Sequence, residues 1–586
     1  MRTLLPTDLA RAGAVATALL LGPAALAQGP VVVSTLPARH APSAPPTTGV
    51  GITFSQVISA ASAVGVRVFG SQRGGLRAGS VGGGGTSTIQ VQPQQAFAPG
   101  EEVSVTVPAT VQGTNGAAAT PYVYRFTAAA GPGTGRFGGT ANPTANGYYR
   151  SIRLADYNQD GNLDLLTLDA QGQSVILSPG DGRGNFGNAG SPAYVTVGTN
   201  PDYLVPADMN NDGKLDVVVT CSGGVNRAIV VRLGDGAGGF ANTQTTSALP
   251  TATPAIGLAV ADINGDGNLD VLTTNGAYTP TTAGRTVSVR LGDGTGNLLG
   301  TTDLPIGPNN CSLAVADVNN DGQLDLVLAD LVQNTLQVRL GNGSGDFAPA
   351  GAPVAVGGRP TSLVLSDLNH DGLLDVATAN AADNTVSLSL GTGTGRFAAA
   401  TTLPLTAGRT PVKMLAADVD GDADLDLLVA NSGNTAPFVA DVVNVLINDG
   451  TGSFTAAPGV SIERGPVELA VGDLNNDGAL DLVTGNVFNF TMSIRLNQRV
   501  LGAHAEQPAL AVAAYPNPAH DELTLELPAA AGAAAVQLLN ALGQSVRAYA
   551  PAAGRRTLAL AGLPAGVYAV RVTGPAGTAV RRIVVR

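Results

Sequence analysis

Between residues 131 and 498 short apolar runs alternate with polar, glycine-rich breaks, which is the signature of β-strands joined by turns. In one stretch the runs fall at 312–316, 324–329 and 335–340, and a fourth follows Phe347. The pattern then recurs. Self-similarity at a period of about fifty residues makes each unit one small sheet of a modular fold. Seven units of four strands predict an all-β, seven-bladed β-propeller, a closed ring that also hides strand edges. An open solenoid would use shorter repeats.

The period is marked by a nine-residue acidic loop, D-x-[ND]-x-D-[GA]-x-L-D, whose copies start 50 to 55 residues apart. It opens at Asp156, Asp208, Asp262, Asp317, Asp367, Asp418 and Asp473. Position 3 is Asn158, Asn210, Asn264, Asn319, Asn369, Asp420 or Asn475, and position 5 is Asp160, Asp212, Asp266, Asp321, Asp371, Asp422 or Asp477. Position 9 is Asp164, Asp216, Asp270, Asp325, Asp375, Asp426 or Asp481. Oxygens on alternate residues, folded by a turn toward one point, suit a hard cation, and such a set selects calcium over softer metals. Position 7 varies (Asn162, Lys214, Asn268, Gln323, Leu373, Asp424, Ala479), which fits a ligand supplied by the backbone carbonyl. Position 8 is leucine throughout, from Leu163 to Leu480, an anchor into the core. The sixth loop departs, with Ala423 for glycine and Asp424 adding charge. Asp, Asn and Gly also make ordinary turns, but three to five carboxylates gathered in each of seven loops would repel one another without a cation. A second motif, Gly-x-Gly-x-Phe/Leu, keeps step with the first, from Gly133–Phe137 to Gly450–Phe454.

Composition narrows the chemistry. A net charge of −12 disfavours nucleic acid, whereas up to seven structural calcium ions would neutralise it. Two cysteines exclude a disulfide framework or a multi-cysteine zinc module. Cys221 and Cys311 fall in non-adjacent units and read as small buried residues. The four histidines are scattered, His370 lies at position 4 of an acidic loop, and no Ser-His-Asp set is visible. Tyr148, Tyr149 and Tyr203 read as core or rim residues.

The ends differ. Residues 1–27 carry Arg2 and Arg11, an apolar stretch over 14–21 and the ending Ala25-Leu26-Ala27, the form of a secretory signal peptide, with no membrane span expected after its cleavage. Residues 30–128 show strand-like runs at 51–54, 64–69, 87–91 and 102–107, with a glycine break at 82–85. They resemble, weakly, an immunoglobulin-like sandwich of the bacterial surface-layer type. Beyond a linker at 499–509, leucines alternate at Leu523, Leu525 and Leu527, which predicts half-buried strands of a small β-sandwich.

In that last segment, 510–586, the opening Tyr515-Pro516-Asn517-Pro518, the run from Leu563 to Arg571 and the basic end Arg581-Arg582-Ile583-Val584-Val585-Arg586 occur in order. It resembles the type A C-terminal sorting domain of the type IX secretion system of Bacteroidota, with arginine where that family often has lysine. The resemblance implies handling by that export machinery and a secreted or outer-surface location on a Gram-negative cell. The repeats at 131–498 resemble the FG-GAP and VCBS repeats of integrin α-subunit propellers and of secreted bacterial proteins, which implies calcium in loops between strands of each blade. The expected function is a calcium-binding adhesion or binding module with an extracellular protein or glycan ligand. Alternatives on the same fold are a secreted enzyme of the polysaccharide lyase or hydrolase type, or a lectin, although the chain has no tryptophan.

Overall fold

Seven hexapeptides run directly out of the acidic loops: Asp164–Asp169, Asp216–Cys221, Asp270–Asn275, Asp325–Asp330, Asp375–Asn380, Asp426–Asn431 and Asp481–Asn486. All are buried along their whole length. A strand covered on both faces cannot alternate apolar with polar residues, hence their near-continuous apolar character. In the computed structural model each is the second strand of an antiparallel sheet. The structure describes residues 28–499 and 513–585, apart from 144–148, 188–192, 224–226, 242–244, 251–253, 277–284, 307–309, 406–409, 434–440, 516–518, 528–533, 541–544, 553 and 575–576. The expected signal segment 1–27, the linker beyond Arg499, Tyr148 and the Pro516-Asn517-Pro518 opening lie outside the described residues.

The first blade joins Tyr149–Ala155, Asp164–Asp169, Ser174–Ser178 and Ala193–Thr196 in sequence order. The innermost strands of the others are Pro201–Ala207, Ala255–Ala261, Asn310–Ala316, Pro360–Ser366, Pro411–Ala417 and Pro466–Gly472. Each innermost strand neighbours the next, and the last meets the first. Among the described residues seven sheets thus form the ring and stand radially around a channel, the arrangement of a β-propeller. Outer strands of the fourth and sixth blades are split in two. The seventh blade takes its outer strand, Phe137–Ala141, from ahead of the first, paired with Thr491–Asn497. This explains why Gly133–Phe137 precedes the first acidic loop: it belongs to the last blade.

Apolar clusters fill the wedges between consecutive sheets. Leu166, Leu168 and Val175 meet Val217 and Val219, and at the closure Ile152 and Leu165 meet Val483 and Ile494. The Gly-x-Gly turns press against the neighbouring blade. Gly184 has φ 84°, and a Cβ there would come within 2.9 Å of Leu496, so only glycine suits both the turn and the contact.

Residues 28–128 form two facing sheets. One orders Val32–Leu36, Val50–Phe54, Thr88–Pro93 and Gly79–Gly82, and the other orders Arg67–Gly70, Glu102–Val107 and Tyr122–Thr127. Ile52, Ile89, Val103, Val105 and Phe126 lie in the core between them. Here the sequence reading was one turn long, because Ala63–Gly65 is a 3₁₀ turn and the strand starts at Arg67. The sandwich and the ring belong to one compact unit, which ends at Arg499.

The second unit has its own two sheets. One contains Ala513–Tyr515, Glu522–Glu526 and Arg555–Ala559, and the other contains Ser545–Ala552, Ala534–Leu539, Gly566–Gly574 and Gly577–Val585. Leu523 and Leu525 point into a core with Val536, Leu538, Val570 and Ile583, while Glu522 and Glu526 are exposed. Period-two alternation thus sets which face of that strand is buried.

Candidate functional site

The fourth loop shows how the repeat folds. Asp317 accepts the N–H of Asp321 at 3.0 Å on one oxygen and that of Gly322 at 2.8 Å on the other. Asn319 Oδ1 accepts the Asp321 N–H at 3.0 Å, and Asp321 Oδ1 accepts the Gln323 N–H at 2.8 Å. Asp325 Oδ2 accepts the Val318 N–H at 3.0 Å, and its Oδ1 accepts the Gly341 N–H at 2.8 Å at the end of the third strand. The position 9 carboxylate thus fastens the loop to its own beginning and to the rest of the blade. Each oxygen still keeps a lone pair for a further partner. The other six loops all repeat the anchoring of position 9.

Two positions per loop are left-handed, not one. Gly322 has φ 86° at position 6, and Asn320 has φ 65° at position 4. Position 4 elsewhere is Gln159, Asn211, Gly265, His370, Gly421 or Asn476, all with positive φ. In three loops its side chain reaches position 7 of the next one. Asn211 Nδ2 donates to Asn268 Oδ1 at 2.9 Å, Asn476 Nδ2 donates to Asn162 Oδ1 at 2.7 Å, and His370 Nε2 lies 3.0 Å from Asp424 Oδ1. Position 7 side chains, expected to matter only through the backbone, therefore also connect blades. The pairing of Asn with Asn and of His with Asp across units was the sequence signal for it.

The sixth loop bends differently. Ala423 has φ 80° at position 6, and Gly421 rather than position 5 donates to Asp418 Oδ1, at 2.7 Å. A Cβ in the left-handed region costs about 1–2 kcal/mol. Replacing Ala423 with glycine is therefore expected to raise stability by roughly 1 kcal/mol in a denaturant melt. In the same loop Asp418, Asp420 and Asp426 offer oxygens all within 4.8 Å of one another, the one such carboxylate trio among the described residues.

Burial sets the electrostatics. The opening aspartates are all under 9% exposed and the closing ones are at 0%. Among the described residues none of these fourteen carboxylates pairs with a lysine or arginine. Burial, reinforced by neighbouring aspartates, pushes Asp164 and Asp375 up to about 6, Asp216, Asp325, Asp426 and Asp481 to about 7, and Asp270 to about 8. Asp262, Asp317 and Asp418 rise to about 6 for the same reasons. The donors are hard oxygens with no thiolate or imidazole at positions 1, 3, 5 or 9, so the set fits a calcium ion. Leucine at position 8 is buried in every loop, as anticipated.

The acidic loops share one end of the channel with the N-terminal sandwich. Asp208 Oδ2 accepts the Leu76 N–H at 2.8 Å, Arg73 donates to the Gly161 carbonyl at 3.0 Å, Val123 N–H to that of Gly322 at 2.9 Å, and Arg39 to that of Asn320 at 3.1 Å. The strand Tyr122–Thr127 caps this end over a cavity of about 400 Å³, with His40 and Asp367 in its wall. Nothing in the sequence pattern announced this docking.

Toward the opposite end of the ring lies a cavity of about 650 Å³. Its charges stand where the repeats diverge. Glu468, on the seventh innermost strand, lies 2.9 Å from Lys413 and 3.2 Å from Arg153, and Arg150 pairs with Asp202. Burial alone would raise the Glu468 carboxyl, but Lys413 and Arg153 outweigh it and hold it below the usual range. Units three to five place Gly257, Ser312 and Ser362 at the register of Lys413 and Glu468. A charged residue on an otherwise neutral inner strand was thus a legible but unread signal. Tyr203 lines this mouth, as a rim residue. Cys221 is free and buried.

A ring of radial four-stranded sheets, each with an acidic loop between its first and second strands, defines a repeat-built β-propeller protein. The chain belongs to the FG-GAP-like repeat family, whose repeats match at 156–219, 208–273, 281–328, 318–378, 367–429 and 418–484. Residues 27–128 match the bacterial Ig-like domain and 513–586 the secretion system C-terminal sorting domain. The protein is therefore a propeller protein with a type IX sorting domain, which marks it for export, and none of the helices is long and apolar enough to cross a membrane among the described residues. No curated protein matches the chain. Similar solved structures include the periplasmic gluconolactonase PpgL of Pseudomonas aeruginosa, at 16% identity over 70% of this chain and 99% of that one with a TM-score of 0.40. A Lactobacillus plantarum protein matches at 16% identity over 70% and 99% with 0.38, and the Dos1 propeller at 11% over 61% and 84% with 0.39. Likenesses this distant carry no functional information.

Proposed function

We propose that the protein is a secreted or cell-surface binding module whose ring is stiffened by calcium, up to one ion in each of the seven acidic loops. What supports this is the burial of fourteen carboxylates, none of them in an ion pair with lysine or arginine among the described residues, a charge arrangement that is costly until a cation enters. Side chains at positions 1, 3, 5 and 9 and the carbonyl at position 7 would hold the ion, which supplies charge and cross-linking. Rigid blades then present the loops of the face opposite the N-terminal sandwich to an extracellular protein or glycan. The test is capture of the purified protein on immobilised glycans and matrix proteins, with and without chelator. Capture that chelator abolishes is expected; capture of nothing, or capture indifferent to chelator, overturns the reading.

The same carboxylates set a pH dependence for the ion-free protein. In the folded state the closing aspartates titrate at about 6 to 8, against an ordinary 3.8. The fold keeps protons that the unfolded chain releases near pH 4, so this contribution to stability is whole below about pH 4 and is lost as the pH climbs through 6 to 8. Ion-free protein is expected to melt several degrees lower at pH 8 than at pH 5. Saturating calcium should remove that difference, because the ion takes the place of the protons.

A further inference from the structure

The N-terminal sandwich grips the acidic loops largely by their backbone. Its segment 72–76 lies against the first two: the Asp156 N–H donates to the Gln72 carbonyl at 2.8 Å, Arg73 donates to the Gly161 carbonyl at 3.0 Å, and the Leu76 N–H donates to Asp208 Oδ2 at 2.8 Å. On the fourth loop the Val123 N–H donates to the Gly322 carbonyl at 2.9 Å and Arg39 to the Asn320 carbonyl at 3.1 Å. The fit is close. A Cβ on Gly75 would come within 1.9 Å of the Asp208 Cβ, and one on Gly322 within 2.2 Å of the Tyr122 ring. The sandwich side of this contact is preformed, because Glu101, at 0% exposure, accepts the Gln72 and Arg73 N–H groups at 2.9 Å each and Arg77 at 2.8 Å. The loop side depends on conformation. Gly161, Asn320 and Gly322 all have positive φ, so their carbonyls meet these donors only while each loop keeps its turn.

Two forces act across this contact, with opposite dependence on a bound cation. Residues 28–128 hold five arginines, no lysine and two carboxylates, Glu101 and Glu102, so bare loops attract the sandwich more than loaded ones do. That attraction is the lesser force. Arg39 and Arg73 donate to carbonyls and Arg77 is paired with Glu101. Burial raises the carboxyls of Asp156, Asp317 and Asp473, and Arg73 and Arg39 offset only part of that rise. What holds the sandwich is the shape of the loops, which carboxylate repulsion loosens and a cation fixes. We propose that docking of the sandwich is coupled to calcium in the first, second and fourth loops: it closes this end of the channel while they are loaded and lets go when they are stripped, uncovering the cavity beneath Tyr122–Thr127. By reciprocity the docked sandwich raises the calcium affinity of those loops by the same factor. The inference rests on the reading of the loops as calcium sites and adds what the ion controls.

The experiment is hydrogen exchange read by mass spectrometry on the full-length protein, in calcium and in chelator, well below the melting temperature of the stripped form. The Leu76 and Val123 amides report docking. Those of Val103 and Val105, on the central strand of the second sheet, report the folding of the sandwich itself. Chelator is expected to speed exchange about ten-fold or more at Leu76 and Val123, and less than about two-fold at Val103 and Val105. In calcium, Asp321→Asn in the fourth loop should speed exchange at Val123. Asp371→Asn in the fifth, where a Cβ on Gly372 would have nothing within 4 Å, should move neither docking amide. Unchanged exchange at Leu76 and Val123, slower exchange in chelator, loss of protection at all four amides together, or equal effects of the two substitutions overturns the proposal. If calorimetry shows calcium binding in those cases, the calcium reading survives and only the coupling falls; if it shows none, both fall.

Discussion

Stripping divalent ions from the purified protein is expected to lower its melting temperature by more than about 10 °C. Each loop buries an opening and a closing aspartate, with the closing one at 0% exposure. An ion at a hundred times its dissociation constant stabilises the folded state by about 2.7 kcal/mol per site, provided the unfolded chain does not bind it. Three occupied loops would already contribute about 8 kcal/mol, comparable with the whole stability of a typical domain. A domain of 150 to 250 residues shifts by about 2–4 °C per kcal/mol, and the larger ring by somewhat less, so the summed effect remains large. Differential scanning calorimetry in calcium and in chelator measures it. A melting temperature unchanged within a degree or two, with no heat of calcium binding, would dismiss the structural role of the ion.

Removing residues 513–586 is expected to abolish delivery to the cell surface and leave the protein in the periplasm. The segment matches the sorting-domain family over its full length, and it carries its own two sheets and its own core, with Leu523, Leu525 and Val570 at 0% exposure. Because the ring lies in a separate compact unit, the truncated protein should retain the ring's melting transition. Surface protease digestion and fractionation read the location. Normal surface arrival of the truncated chain would refute the sorting role.

Much of the architecture was legible because the repeat carries it. Leucine at position 8, the twofold-buried second strands and the Gly-x-Gly turn all follow from residue types that recur seven times. What the repeat could not show lies wherever units differ or meet something else. Position 4 varies among Gln, Asn, Gly and His, so its left-handed backbone was hidden until Asn476 was seen reaching Asn162 across the closure. The offset of Phe137–Ala141 into the last blade was invisible because motif order within a unit does not say which sheet a strand joins. Docking of the N-terminal sandwich runs largely through backbone groups, such as the Val123 N–H on the Gly322 carbonyl, and backbone groups leave no trace in residue type. At the channel mouth the reverse holds. Lys413 and Glu468 were visible as departures from the other repeats, but only the circular arrangement brings them within 2.9 Å.

The strand Phe137–Ala141, paired with Thr491–Asn497, acts as a clasp between positions more than three hundred residues apart in the chain. A polypeptide delivered amino end first cannot fasten it until the final repeat has emerged. Six finished sheets would meanwhile expose two apolar sheet faces that the clusters between blades otherwise cover, each a surface for association with another molecule. Maturation of this ring is thus an all-or-nothing event timed by the arrival of its last segment, and the interval before it is when the protein has most need of an escort.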